Sequence, residues 1–366
     1  MSTAGHDPLP IAPVPVGEIL ERELQARGWT QADFAVVLDR PTQFVSEIIN
    51  GKKEITRDSA AQLGAALGHT AEYWLNHQDQ HLLVEQSRNP QTQVRLDEVR
   101  RRARLNDKGP IQLLKRRGFL TGSSLEELEA EVMDLFELDS LEDEPDIAAA
   151  ARRANPREDL SGLQRVWVAC VRKRARQALP QAQYSESALL ALAESLAKKL
   201  KSAEDFRDLE EQFSEVGVRL VYVEAFPGAK IDGCAMFVGG VPVIGLSGRG
   251  KRLDKVLFTL LHEVAHLLLR HVDADRLIVE SLDGENGSQS DQEQEANSKA
   301  GHLCFSNGFP AAPPRISASW VNEVAVALGV AHIVVVGQLQ HRGRLDWRTS
   351  LVKDAPSVNS ALQAWK

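Results

Sequence analysis

Residues 262 to 266 read His262-Glu263-Val264-Ala265-His266, and they sit inside an apolar run from Val256 to Leu269. Two histidines and an acid are costly to bury without partners or a task. The run therefore limits what the chain can become: a core helix packed against something that satisfies three polar groups. On a helix, residues four apart share one face. Both imidazoles can then close on a single divalent cation, with Glu263 beside them. This is the ligand spacing of a zinc hydrolase, and Zn2+ is the expected cofactor.

A catalytic zinc takes three protein ligands and keeps one open position. The third should come from a neighbouring helix, and the candidates are Glu280, Asp283, Glu285, Asp291, Glu293 and Glu295. Glu293 is the choice, because its helical face continues through Ala296, Asn297 and Ala300, small residues that allow close approach. Asn297 stands one turn on, where it can orient a histidine from behind. Glu295 is read as a solvent-facing acid paired with Lys299. Glu263 is the expected proton acceptor for the attacking water and later donor to the leaving amine. His271, five residues past His266, falls off the ligand face and reads as a structural or hydrogen-bonding residue. His302 and Cys304 are not chosen as ligands, and no oxyanion-stabilising residue stands out beyond guesses at Tyr222 and His302.

At 366 residues, the length suggests two or three domains. A hydrophobic content of 43% suffices for real cores, and a net charge of −8 argues against a uniformly basic nucleic-acid coat. Cys170, Cys234 and Cys304 are far apart and form no CxxC pair, as expected in a reducing cytoplasm. No signal peptide opens the chain and no apolar run has the length of a membrane span, so no membrane partner is expected.

Along the chain, residues 1–15 carry five prolines or glycines and read as a flexible arm. Five short helices are expected from Val16 to Gln78, punctuated by Gly28, Gly51 and Gly68, with Thr30 as an N-cap and Asp33 as its partner. Charge then comes in blocks. Residues 88–117 hold ten Lys/Arg against three acids, 126–146 hold eleven acids and no base, and 152–176 hold eight bases against two acids. Such runs are usually solvated helix faces. The stretch 142–160 reads as a linker. Helical patterns cover Ser185 to Lys201 and Glu204 to Glu215. Strand signals cover Val218 to Val223, Gly233 to Val238 and Val241 to Leu246, the last two joined by Gly239-Gly240 as a hairpin. Pro242 favours an edge position for the last strand, which could then bind an extended substrate by β-addition. An acidic loop is expected from Asp283 to Gln292, and another helix from Val321 to Leu328.

The segment Val16 to Gln78 resembles the lambda-repressor-like (XRE) helix-turn-helix family, and within it the HigA-type antitoxins. The resemblance rests on Thr30-Gln31-Ala32-Asp33-Phe34-Ala35, on Val45-Ser46-Glu47-Ile48-Ile49-Asn50-Gly51-Lys52 and on Ala71-Glu72-Tyr73-Trp74-Leu75-Asn76. Thr42, Gln43 and Ser46 would then face base edges in the major groove, and Gln31, Lys52 and Lys53 would meet phosphates. A homodimer on a palindromic operator of double-stranded DNA is implied. Pro41 stands where a capping side chain is usual. Residues 1–80 carry eleven acids against six bases, which makes weak or salt-sensitive DNA binding the expectation.

The C-terminal half resembles the ImmA/IrrE family of zinc metallopeptidases. The likeness runs through Gly217-Val218-Arg219-Leu220-Val221, Lys230-Ile231-Asp232-Gly233, Leu253-Asp254-Lys255, the His262 to His266 motif and Glu293-x-x-Ala296-Asn297. It implies Glu293 as the third ligand, in agreement with the choice above. The expected fold is multidomain and mainly α, with an α+β C-terminal domain. Its parts are a flexible arm (1–15), a lambda-repressor-like five-helix DNA-binding domain (16–80), a charged helical region (81–145), a helical connector (146–216), a zincin-like metallopeptidase domain with a small sheet (217–310) and a C-terminal helical region (311–366). The expected function is a DNA-binding, antitoxin- or repressor-like regulator carrying a zinc-dependent endopeptidase of the HExxH, gluzincin type. That endopeptidase would cleave the chain itself or a partner regulatory protein. The competing reading is a non-proteolytic antitoxin-like repressor whose zinc fold senses a signal or binds a partner such as a toxin.

Overall fold

The computed structural model describes residues 13–145, 147, 160–273, 277–280, 291–306 and 308–365. Most of the expected arm, most of the 142–160 linker and nearly all of the acidic loop, including Asp283 and Glu285, lie outside the described residues. The chain falls into two compact units, Met1–Ala103 and Arg104–Lys366.

The first unit begins with five helices: α1 (Val16–Arg27), α2 (Gln31–Val37), α3 (Thr42–Ile49), α4 (Arg57–Leu67) and α5 (Ala71–Arg88). Local chemistry sets their ends. Thr30 and Thr56 form reciprocal capping boxes with Asp33 and Ser59, and Thr70 accepts from the Tyr73 amide. Gly28 and Gly68 stop α1 and α4 in the left-handed region. Pro41 precedes α3 with no side-chain cap. Leu20, Phe34, Val45, Leu63 and Trp74 form the buried centre. Helix α5 does not stop near Gln78 but continues ten residues further, to Arg88. Beyond it, α6 (Pro90–Lys108) crosses the division between the units.

The second unit is built on a four-stranded sheet in the order β1-β3-β2-β4: β1 (Arg219–Tyr222), β2 (Gly233–Val238), β3 (Val241–Leu246) and β4 (Ile278–Glu280). Strands β2 and β3 form the hairpin, with Val238 opposite Val241. Gly239 and Gly240 both have positive φ, as a two-residue turn of this hand requires. Helices pack on both faces. Leu220, Tyr222, Ala235, Ile244 and Leu246 join one core, and Val221, Val223, Cys234, Met236 and Val243 join the other. Alternate residues thus serve opposite layers.

On the first face lie α10 (Glu186–Lys199), α11 (Leu209–Glu215), α12 (Leu253–Leu268), α13 (Asp291–Cys304), α14 (Ala318–Leu328), α15 (His332–His341) and α16 (Asn359–Gln363). On the second lie α7 (Ile111–Arg116), α8 (Leu125–Phe136) and α9 (Gly162–Ala175).

Three expectations change here. Strand β3 is central, not an edge: it pairs with β1 in parallel and with β2 antiparallel. Pro242 is tolerated because the β1 ladder starts one residue later, at Val243 opposite Arg219. The proline therefore removes no ladder bond on that side. The division between the units falls inside the expected 81–145 region, after Ala103, and described residues of 104–145, 146–216, 217–310 and 311–366 all lie in the second unit and contribute to the cores of its sheet. In the expected connector, Val166 to Val171 are all buried, and Trp167 Nε1 donates to the Val223 carbonyl at 2.7 Å. The Val166–Val171 stretch of that helix is apolar all round because it lies in the core, between polar ends that carry Arg165 and Arg172 to Arg174. Among the described residues, no single helix is long and apolar enough to cross a membrane.

Candidate metal centre and helix-turn-helix surface

Helix α12 is amphipathic only in part, and His262, Glu263 and His266 are fully buried within it. Helix α13 packs against α12, with Ala296 and Ala300 at zero exposure. The small side chains let the backbones approach, and the approach delivers Glu293. His262 Nε2 lies 2.8 Å from His266 Nε2, 3.2 Å from Glu293 Oε2, and the His266 nitrogen is 3.5 Å from Glu293 Oε1. Among the described residues these three form the group whose donor atoms all lie within 4.8 Å of one another. Both histidines have no exposure, while Glu293 keeps 20%, so the trio meets solvent on the carboxylate side.

The hydrogen-bond pattern tests whether this trio suits a cation. Asn297 Oδ1 lies 3.1 Å from His262 Nδ1. An amide oxygen only accepts, so Nδ1 carries the proton and Nε2 presents its lone pair to the centre. A bare nitrogen, a second imidazole nitrogen and a carboxylate facing one point repel one another unless a positive charge lies between them. The donor set, two imidazoles and one carboxylate, is that of a catalytic zinc. Burial holds His266 below the ordinary imidazole pKa; the Glu293 carboxylate opposes this, and His262 and His271 reinforce it. A neutral imidazole is the form that ligates.

Glu263 is buried against the backbone of β2. A Cβ at Gly233 would come within 2.6 Å of Glu263 Oε1 and 2.9 Å of Thr259 Cγ2, so any larger residue there must push the Glu263 carboxylate aside. The remaining candidates fall elsewhere. Asp291 is exposed at the start of α13, and His302 is exposed near its end. Cys304 is buried, which pushes its thiol up to about 12. Tyr222 sits on β1, two strands from β2, with Arg117, Arg174 and Trp365 around a separate cavity. Glu295 does not pair with Lys299 among the described ion pairs; its Oε2 lies 3.2 Å from His271 Nε2.

In the first unit, Thr42, Gln43, Lys52 and Lys53 are exposed, and Gln31 and Ser46 are half-buried. Gln43 Nε2 donates to Glu47 Oε1 at 2.8 Å, and Lys53 stands 3.9 Å from the other Glu47 oxygen and 5.0 Å over the Phe44 ring. Ser46 receives the Asn50 amide at 3.2 Å.

No family profile matches the chain. An uncharacterized HTH-type transcriptional regulator of Haemophilus influenzae is 34% identical over 89 residues, which is 24% of this chain and 83% of the relative. The chain belongs to the HTH-type transcriptional regulators. Antitoxin HigA-1 of Vibrio cholerae is 43% identical over 67 residues, 18% of this chain, and the match spans 63% of that antitoxin. A solved addiction-module antidote protein of the HigA family from Coxiella burnetii is 37% identical, with 20% of this chain and 83% of that one covered, at a TM-score of 0.20.

Within the regulator unit, Glu47 is the residue that the pattern alone undervalued. Its place in the Ser46-Glu47-Ile48 run marked the motif but not its hold on Gln43 and Lys53. In the second unit, the sequence marks Gly233 as a strand residue, and its contact with Glu263 needs the strand and helix together.

Proposed function

We propose that this chain is a DNA-binding regulator carrying a zinc endopeptidase that cuts itself or a partner regulatory protein. The observation that carries the enzymatic part is the convergence of His262 Nε2, His266 Nε2 and a Glu293 carboxylate, each turned to one point, with Glu263 buried alongside. A zinc ion held by His262, His266 and Glu293 would supply Lewis acidity that polarises a scissile carbonyl and makes water nucleophilic near neutral pH. Glu263 accepts the proton of the attacking water and returns it to the leaving amine. Its position against Gly233 restricts the carboxylate to one place, which keeps the proton path short. Asn297 holds the His262 ring in the ligating tautomer.

Strand β3 offers no free edge for an extended substrate, because β1 and β2 pair with its two sides. The first unit would dock α3 in the major groove, with Thr42, Gln43 and Ser46 toward bases and Gln31, Lys52 and Lys53 toward phosphates. Binding as a homodimer to a palindromic operator follows from that mode.

The test pairs zinc analysis with cleavage of the chain and of candidate regulators, by wild type and by Glu263→Gln. Stoichiometric zinc in both and cleavage only by wild type is the expected result. Equal inertness of both zinc-loaded forms would overturn the peptidase. The likeness to Antitoxin HigA-1 favours a second reading, an antitoxin-like repressor whose metal fold binds a toxin or senses a signal. Co-purification of a toxin with an inert, zinc-loaded chain would select it.

A further inference from the structure

Helix α12 ends in a way that brings a third histidine back beneath the second. Arg270 adopts a positive φ of 55°. The Arg270 amide donates to the Leu267 carbonyl and the His271 amide to the His266 carbonyl, at 3.1 and 3.0 Å. This crossed pair of bonds is the Schellman termination, and it folds the chain back by one residue's swing into the left-handed region. His271 therefore lands beside His266, although helical spacing alone would turn it away. Its ring is 5% exposed, and the two Nδ1 atoms are 3.0 Å apart. On the far side of that ring, Nε2 meets Glu295 Oε2 at 3.2 Å.

The direction of these bonds is dictated by the acid. An ionised carboxylate only accepts, so His271 Nε2 carries the proton. A neutral His271 is then bare at Nδ1 and must accept. The one proton available to it is on His266 Nδ1. His266 is thereby left with a bare Nε2, the atom that faces His262 Nε2 and Glu293. We infer that Glu295 and His271 form a two-step positioning relay that fixes the tautomer and ring angle of His266 as a metal ligand. The inference rests on the metal reading above. It assigns the two imidazole ligands separate supports: Asn297 behind His262, and a carboxylate–imidazole pair behind His266. Neither His271 nor Glu295 touches the reacting atoms. Their effect is on how tightly and in what orientation His266 binds.

The experiment uses the full chain with three substitutions. His271→Leu keeps bulk but removes the acceptor, His271→Asn keeps an acceptor near the Nδ1 position, and Glu295→Ala removes the outer anchor. Zinc affinity is measured by competition with a chromophoric chelator. The His266 tautomer is read in the metal-free protein by long-range nitrogen NMR on histidine-labelled samples. His271→Leu should weaken zinc binding by about 10- to 100-fold, Glu295→Ala by about 10-fold, and His271→Asn should recover most of the loss. Wild type should show His266 protonated at Nδ1, and His271→Leu a mixture. If His271→Leu does not fold, Glu295→Ala decides the matter, since its side chain is 64% exposed and outside the core. Unchanged zinc affinity in Glu295→Ala and His271→Leu, with wild type fully loaded, would overturn the relay alone. So would a His271→Asn as weak as the leucine variant, which would mark a packing role. A wild type that takes up no zinc would remove the metal reading and the relay with it.

Discussion

Replacing Gly233 by alanine should separate metal binding from turnover. The added methyl would stand 2.6 Å from Glu263 Oε1, 3.0 Å from its Cγ and 2.9 Å from Thr259 Cγ2. Restoring an ordinary contact of 3.4 Å requires the carboxylate to retreat by about 0.8 Å. A misplacement near 1 Å in a reacting constellation costs on the order of 100-fold, or about 2.7 kcal/mol in the barrier. Overpacking of this kind also lowers stability by about 1–3 kcal/mol. The ligands His262, His266 and Glu293 are not among the atoms the methyl meets, so zinc content should stay stoichiometric. The assay is zinc analysis together with kcat on an unstructured probe, fluorescein-labelled casein, beside Glu263→Gln as the inactive reference. Wild-type kcat in the folded, zinc-loaded variant would refute the reasoning, because Glu263 would then work from a displaced position. Loss of zinc along with activity would refute it too, by showing that the strand supports the ligands and not the base.

Four further expectations follow from the same geometry. Glu47→Gln should raise DNA affinity and steepen the salt dependence of binding by about one unit of slope, since it removes the negative charge that pairs with Lys53; an unchanged slope in electrophoretic titrations would count against α3 as the reading helix. Gly17→Ala should destabilise the first unit, because the new methyl would collide with the backbone oxygens of Ile49 and Ile48, which cannot move aside; calorimetry should show the transition of this unit lowered, or absent. Trp167→Ala should cost the second unit about 3–5 kcal/mol through the cavity and the orphaned Val223 carbonyl, while the first unit's denaturant midpoint stays in place. His266 has a depressed pKa in the folded state, so the unfolded chain binds more protons as pH falls; its contribution to metal-free stability should be complete above about pH 6.5 and decline as pH drops through the lowered folded value, seen as a falling Tm in chelator.

Much of the fold is written locally. The caps at Thr30, Thr56 and Thr70 and the stops at Gly28 and Gly68 mark helix ends by bonds that span three or four residues. The Gly239-Gly240 turn and the alternating residues beside it mark the hairpin in the same way. Elements that defy their local signals were not legible. His332 to His341 contains Ile333-Val334-Val335-Val336, a run that favours strands, yet it is a helix because those side chains are buried in the core. Val166 to Val171 was masked by the arginines around it, and β4 is only three residues long. The partners of Glu47 and Glu295 were also hidden, since charge patterning suggests solvent where the structure supplies Gln43, Lys53 and His271.

The amino-acid order alone determined that His262 and His266 share a helical face with Glu263 next to them, because a four-residue spacing is fixed by the helix itself. It likewise determined the boundaries of the helices that carry Thr42 to Ser46. Only the tertiary structure decided that Glu293 closes on that face, that β3 lies inside the sheet, that Gly233 presses on Glu263, and that the chain turns at Arg270 to put His271 under His266. Those outcomes depend on which surfaces pack together over tens of residues, and packing answers to the volume and burial of the whole unit, which no local window contains.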